Sequence, residues 1–563
     1  MPVDFRLSEI IISQFRGIRE LTLELPDNIP TYVVGPNNSG KSTILNALAL
    51  SMRGGGFHTF TPKAFDFFHS TDGSSSSDFR IDLLFKADKE EYLPAVQGVG
   101  NPTIVHGIRV LGRTDKSGHY RHRHVLIDHN HEAITQSPRT PLKGNLKEKF
   151  KDHELGWTQY YAQLDDIAKH LPTVWFLKPD NLYKSLFIWQ TGPLQRLSKI
   201  LTDRFLNTEW EFEFDGDIRQ MPSTLKTAYN FFKSCVAEFP FWTKELKPKL
   251  EKTLGTYLGK SAKLALQPDI LVFNDWLQQQ LAVSFSAEAT GPLTPLSSMG
   301  DGWQALVRLA SLEVLSEFED DRTSEILLLC EEPEIYLHPH LRRKLRSILN
   351  RLASNGWLVV TSTHAPELLS FQVPQYIVRI WKNEEDTGRG HLFTEDIADA
   401  TRFQEKLEEY GNHEILLANR NIFCEGKDDV FAMKTFFNKS QVDLDALGVT
   451  ILGVGGCSSL PDYARMSNKL GIPWCALTDE DLMSDGSEKP NTAEIRDQLQ
   501  NIAEDNDLIP TWPNSLETCL ECTQRKATPD WQEENISPLS IKKLRSKYPK
   551  FISTCDKIKA WLE

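Results

Sequence analysis

Two groups of residues in this 563-residue chain have the types and spacing to do chemistry on phosphates. The first is Gly35-Pro36-Asn37-Asn38-Ser39-Gly40-Lys41-Ser42, which fits the pattern GxxxxGK[ST]. Glycines at Gly35 and Gly40 let backbone N–H groups approach phosphate oxygens, Lys41 neutralises their charge, and Ser42 can hold Mg²⁺. Asn38 and Thr43 complete the expected nucleotide contacts, and the expected ligand is ATP. The second group is acidic: Glu425 and Asp429 in EGKDD, then Asp479 and Asp481 in TDED. Carboxylates gathered in one place cannot all ionise without a counter-charge, and an oxygen-only set suits Mg²⁺ or Mn²⁺.

These residues need elements that present them. An apolar run at Thr31–Val34 predicts a strand feeding the glycine-rich loop, and a helix is expected after it. The run Ile326–Cys330 predicts a buried strand ending in Glu331-Glu332-Pro333-Glu334. Glu331 is expected on the Mg²⁺ shell, and Glu332 is expected to polarise the water that attacks the γ-phosphate. A strand over Trp357–Ser362 delivers Thr363-His364-Ala365-Pro366. Further on, strands over Asn421–Cys424, Val449–Gly453 and Trp474–Leu477 each end in a loop, two of them in acids. In a doubly wound sheet the carboxyl ends of such strands share one edge, so Glu425, Asp429, Asp479 and Asp481 are expected to meet there.

The first group resembles ABC-type ATPases. The resemblance implies that His364 is the switch histidine near the γ-phosphate. Leu296-Ser297-Ser298-Met299-Gly300-Asp301-Gly302-Trp303-Gln304 is similar to the signature element, with Ser298 and Gly300 carrying it, although it departs from the common LSGGQ spelling. In such ATPases the signature of one subunit closes over the nucleotide of another, which implies a homodimer or a higher homo-oligomer. Phe15-Arg16-Gly17 is similar to the N-terminal pattern of the RecF, SMC and OLD branch and makes Arg16 a nucleotide contact.

The Glu-then-DxD order resembles the Toprim domain of topoisomerases, primases and OLD (overcoming lysogenization defect) nucleases. The OLD resemblance implies Glu517 as a further carboxylate and Lys542 or Lys543 as the lysine stabilising charge on the scissile phosphate, with Lys543 the residue chosen here. The fold class expected is α/β: an ABC-type P-loop ATPase with a helical insertion, then a doubly wound Toprim domain. The implied activity is ATP-regulated, metal-dependent DNA cleavage in antiphage defence, with a helicase-like protein or a reverse transcriptase and its msDNA as partners. The competing reading is a RecF- or SMC-like clamp that binds DNA without cutting it. Topoisomerases of this class also need a nucleophilic tyrosine on another domain, and no segment here resembles its scaffold.

The expected domains are ATPase at 1–140 and 286–400, a helical and dimerising insertion at 141–285, and Toprim at 418–563. Long segments with helical spacing, such as Leu194–Phe205 and Leu225–Phe239, suggest the insertion. No apolar run reaches eighteen residues, and the chain opens into strand-like alternation, so a cytoplasmic protein without membrane contact is expected. Eight scattered cysteines suit a reducing compartment, and the lone Cys519/Cys522 pair reads as one helical turn. The net charge of −14 does not suggest a protein that coats nucleic acid nonspecifically and does not exclude a nuclease, and Ile541–Lys550 holds five cations and no acid. His119, His122, His124, His129 and His131 read as a hairpin, since HRHVLI alternates across a strand and no zinc-ligand spacing accompanies it.

Overall fold

The computed structural model describes residues 5–52, 62–70, 74–98, 101–114, 118–136, 171–179, 298–318, 326–382, 387–397, 400–410, 413–483, 485–522 and 526–563, with short strands and single positions between 160 and 295. Contacts divide the chain into a larger unit, Met1–Pro179 with Asp321–Glu563, and a smaller one, Asp180–Asp320.

In the larger unit, strands β1 (Arg6–Phe15), β2 (Ile18–Glu24), β3 (Thr31–Val34), β4 (Asp78–Lys86), β5 (Gly107–Thr114) and β6 (Tyr120–Ile127) come first, with helix α1 (Lys41–Leu50) after β3. β1, β2, β4, β5 and β6 form an antiparallel sheet in the order β2-β1-β4-β5-β6. Its strands alternate apolar and polar residues because one face packs on a core of Ile10, Ile12, Ile81, Leu83 and Ile108. The histidines fall as expected: His122 and His124 lie on β6 with ring centroids 5.6 Å apart, and Asp128 begins the turn that follows.

The nucleotide-binding sheet adds β7 (Thr173–Leu177), β8 (Ile326–Glu331), β9 (Leu358–Ser362), β10 (Tyr376–Lys382) and β11 (Thr387–Phe393), with helix α2 (Pro339–Ser354) between β8 and β9. The order is β7-β8-β9-β3-β10-β11; all neighbours are parallel except the final β10–β11 pair. β3 and β9 are buried along their whole length, which is why they read as continuous apolar runs. β7 lies inside the range expected to be the helical insertion, yet it pairs with β8 from Thr173↔Ile326 to Leu177↔Cys330, so the ATPase sheet extends past residue 140. The segments Leu194–Phe205 and Leu225–Phe239 lie outside the described residues. The smaller unit contains a hairpin of Trp210–Phe214 with Asp217–Met221 and the helix Asp301–Phe318.

The C-terminal part is a parallel sheet of β12 (Arg420–Cys424), β13 (Val449–Gly453), β14 (Trp474–Asp479) and β15 (Thr511–Trp512), in the order β13-β12-β14-β15. Helices α3 (Lys427–Lys439), α4 (Leu460–Lys469), α5 (Pro490–Ile502), α6 (Leu516–Cys519), α7 (Pro529–Asn535), α8 (Ile541–Lys547) and α9 (Pro549–Leu562) belong to the same region. One core joins Ile422, Cys424, Phe436, Trp512 and Phe551, with the Trp512 and Phe551 rings stacked 5.4 Å apart. This is the doubly wound pattern expected, with β12 at the centre. Cys519 and Cys522 are in no disulfide. Among the described residues no helix is long and apolar enough to cross a membrane.

Candidate functional sites

The phosphate loop leaves β3 through Gly35, whose φ of +141° no ordinary side chain tolerates; a Cβ there would lie 2.1 Å from the Ile380 carbonyl oxygen. Asn38 and Gly40 also have positive φ, and the loop closes into α1. Lys41 is 6% exposed and folds back over the loop, donating to the carbonyls of Gly35 and Pro36 at 2.9 Å each. Burial lowers its pKa and the Glu332 carboxylate opposes that shift. Ser42 is exposed and Thr43 half-buried at the start of the helix.

Strand register brings the other ATPase residues to the same edge. Glu331 ends β8 beside Ser362 of β9, and Ser362 in turn pairs with Val33 of β3, one residue short of the loop. Glu332 turns sharply at φ +44°, and its N–H donates to the Ser362 carbonyl at 3.1 Å. Its carboxylate lies 3.6 Å from His364 Nε2. Burial lowers the His364 pKa, Lys41 lowers it further, and Glu332 opposes both. Lys41, Glu332 and His364 therefore share one electrostatic neighbourhood.

Arg16, at φ +52°, donates from Nε to the buried Asp66 carboxylate at 3.0 Å. Ser298 and Gly300 are exposed in the smaller unit just before the helix Asp301–Phe318, where the Gly300 carbonyl accepts the N–H groups of Trp303 and Gln304.

On the second sheet, β12 and β14 are parallel neighbours, so their tips emerge side by side. Glu425 Oε1 accepts the N–H of Asp479 at 3.2 Å. Asp429 accepts from Gly426 N–H at 3.1 Å with one oxygen and from Trp512 Nε1 at 2.9 Å with the other. Asp481, at φ +51°, accepts from Lys489 Nζ at 2.9 Å and Thr492 Oγ1 at 3.2 Å. Glu517 accepts from Ala527 N–H at 3.3 Å, and Asp479 accepts from Leu516 N–H, also at 3.3 Å.

These acids hold one another's protons. Burial, then Asp429, Glu425, Glu517 and Asp481, pushes Asp479 up to about 8. Burial raises Glu425 to about 7, with Asp429 and Asp481 adding to it and the Asp479 N–H and Lys489 opposing. Asp429 is raised to about 6 by burial against its bonds to Trp512 and Gly426. The expected carboxylates Glu425, Asp429, Asp479, Asp481 and Glu517 thus influence one another electrostatically. Among the described residues, no three His, Cys, Asp or Glu side chains converge tightly enough to enclose a cation alone. The donor set fits a hard, partly hydrated ion of the Mg²⁺ type, which keeps several waters and takes one or two carboxylates.

Lys542 and Lys543 are both exposed on α8, and among the described contacts none joins either to the acids. Among the described contacts, the ammonium that reaches the acids is that of Lys489, at Asp481, in a polar loop that no motif marks. Trp512, which no motif marks, also contacts the set through its bond to Asp429.

A P-loop ATPase sheet followed by a parallel sheet with acids at its carboxyl edge is the class these sites define. A family model described as AAA ATPase domain matches residues 6–175 and 212–369, and the chain belongs to that family. A second model, overcoming lysogenization defect protein-like, TOPRIM domain, matches residues 416–481, which span Glu425 through Asp481. The chain is 22% identical over 515 residues to the OLD nuclease of Thermus scotoductus, covering 88% of this chain and 86% of that protein. It is 24% identical over 214 residues to the Old nuclease of Escherichia phage P2, covering 36% of each. Among solved structures, an Smc head bound to the C-winged helix domain of ScpA aligns with a TM-score of 0.39 and 14% identity, over 69% of this chain and 97% of that one. An SMC head from Thermotoga maritima aligns with a TM-score of 0.29 and 13% identity, over 69% of this chain and 99% of that one. The fold assignment rests on the chain's own sheets and the two family models.

Proposed function

We propose that this protein is an ATP-regulated, divalent-metal-dependent DNA endonuclease of the OLD type that acts in antiphage defence as a homodimer or higher homo-oligomer. The observation that supports the cleavage reading is the hydrogen bond from the Asp479 N–H to the Glu425 carboxylate, which joins the tips of two neighbouring parallel strands. Burial and mutual repulsion push the pKa of Glu425 and Asp479 up, and a bound cation would offset that cost of ionisation. A divalent cation, when bound, supplies the charge that activates water and stabilises the leaving oxygen. The chain's own residues do the rest: Glu425, Asp479 and Asp481 provide oxygen donors, Lys489 brings a positive charge beside Asp481, and the backbone N–H groups of Gly426 and Leu516 orient Asp429 and Asp479.

At the ATP site, Lys41 would bind β/γ-phosphate charge, Ser42 and Glu331 would hold Mg²⁺, and Glu332, 3.6 Å from His364, would polarise the attacking water. Regulation is supported by Arg379 and Trp381 of β10. Arg379 pairs with Val34, next to the phosphate loop, and donates to the carbonyls of Gly471 and Ala418 beside the second sheet. Trp381 packs so closely on Gly471 that a Cβ there would lie 2.1 Å from its ring.

The test is plasmid nicking with Mn²⁺ or Mg²⁺, with and without ATP, comparing the wild type with Glu425→Ala and Asp479→Ala. Loss of cutting in both variants with ATP hydrolysis intact supports the reading. ATP-dependent DNA binding without metal-dependent nicking in the wild type favours the RecF- or SMC-like clamp.

A further inference from the structure

Glu334 has a geometry that its place in the Glu331-Glu332-Pro333-Glu334 motif does not account for. It is 5% exposed, and a single oxygen, Oε1, accepts three hydrogen bonds: from Thr363 Oγ1 at 2.7 Å, His364 N–H at 2.9 Å and Ala365 N–H at 3.2 Å. Its other oxygen, Oε2, is buried with no hydrogen-bond partner. Burying a carboxylate is expensive, and burial pushes its pKa up against these bonds. What the group does in return is fix one loop. The loop is tied from the opposite side as well, since Thr363 N–H donates to the Val33 carbonyl of β3 at 3.2 Å.

The loop so held carries His364, whose Nε2 lies 3.6 Å from Glu332. Glu334 leaves β8 just two residues beyond Glu332, and the bend at Glu332 sends the two side chains to different places: one to the histidine ring, one under its backbone. We propose that Glu334 is a positioning residue for ATP hydrolysis, setting the place of the His364 imidazole relative to Glu332 and the phosphate loop through the backbone of Thr363-His364-Ala365. The assignment rests on reading the Lys41 loop as an ATP-hydrolysing site. Displacement of the loop by an ångström is enough to lower the rate of the chemical step on the order of 100-fold without touching the phosphate-binding groups.

The experiment measures kcat and KM for ATP in the full-length protein for Glu334→Ala, His364→Ala and the double variant. Glu334→Ala is expected to lower kcat on the order of 10- to 100-fold with KM within about threefold of the wild type. In the His364→Ala background it is expected to change kcat by less than about twofold, because its effect passes through the missing imidazole. An equal loss in both backgrounds, or an unchanged kcat in the wild-type background, overturns the proposal. Should Glu334→Ala fail to fold, Glu334→Gln replaces it; this variant keeps an acceptor oxygen, and its loss of kcat must likewise vanish in the His364→Ala background. Failure of the underlying ATPase reading looks different: Lys41→Ala and His364→Ala would then both hydrolyse ATP at the wild-type rate.

Discussion

The Asp479 N–H donates to Glu425 at 3.2 Å across 54 residues of sequence, joining the tip of β14 to the tip of β12. Because the two strands are parallel neighbours in register, from Asn421↔Trp474 to Cys424↔Leu477, each delivers its acid to the same edge. The charge cluster is a consequence of topology, and several measurable properties depend on it.

The stability of the metal-free protein is expected to fall as pH rises from about 5 to 8. Glu425, Asp479 and Asp429 titrate at about 7, 8 and 6 in the fold, against roughly 4 for an unfolded carboxylate. The native state therefore keeps protons that the unfolded chain has released, so the stabilisation is complete below pH 4 and is lost as pH rises through the folded values. Melting temperatures in EDTA across this range, with Asp479→Asn as the comparison, check it. The variant should show the flatter profile, and a steeper one contradicts the assignment.

Lys41→Ala is expected to abolish ATP binding, since no other described cation occupies the loop carbonyls of Gly35 and Pro36. Glu332→Gln should bind ATP but hydrolyse it on the order of 100-fold or more slowly, trapping the nucleotide-bound form. Equilibrium nucleotide binding and steady-state hydrolysis separate the two effects. Wild-type turnover in Glu332→Gln would show that another group polarises the water.

Arg379→Ala is expected to uncouple the two sites. The guanidinium is 2% exposed, and its removal leaves the Gly471 and Ala418 carbonyls short of a donor, a cost of about 1–3 kcal/mol each. Nicking should then lose its dependence on ATP while nucleotide affinity stays within a few-fold of the wild type. An undiminished response to ATP in this variant rules out β10 as the connection.

Much of this arrangement was legible in the sequence because strand-end acids and glycines keep their meaning locally. The runs ending at Val34, Cys330, Ser362 and Cys424 are buried strands, and the residues expected to act follow them at the strand tips. Lys489 was not legible: it sits before Pro490 in a polar loop, and only the folding of that loop onto Asp481 gives it a role. The motif names Glu334 without marking its burial, which goes with contacts to Thr363, His364 and Ala365 from a distant part of the sequence. Thr173–Leu177 falls within the range expected to be the insertion because a five-residue apolar run between helical patterns has no period of its own that marks a strand.

Titration of the nucleotide-free protein with Mn²⁺, followed by calorimetry, tests the acidic edge most directly. The wild type and Lys41→Ala should bind with equal affinity, while Glu425→Ala and Asp479→Ala should each weaken binding by at least about tenfold. Equal Mn²⁺ affinity in all four proteins would contradict a cation-holding cluster at Glu425 and Asp479.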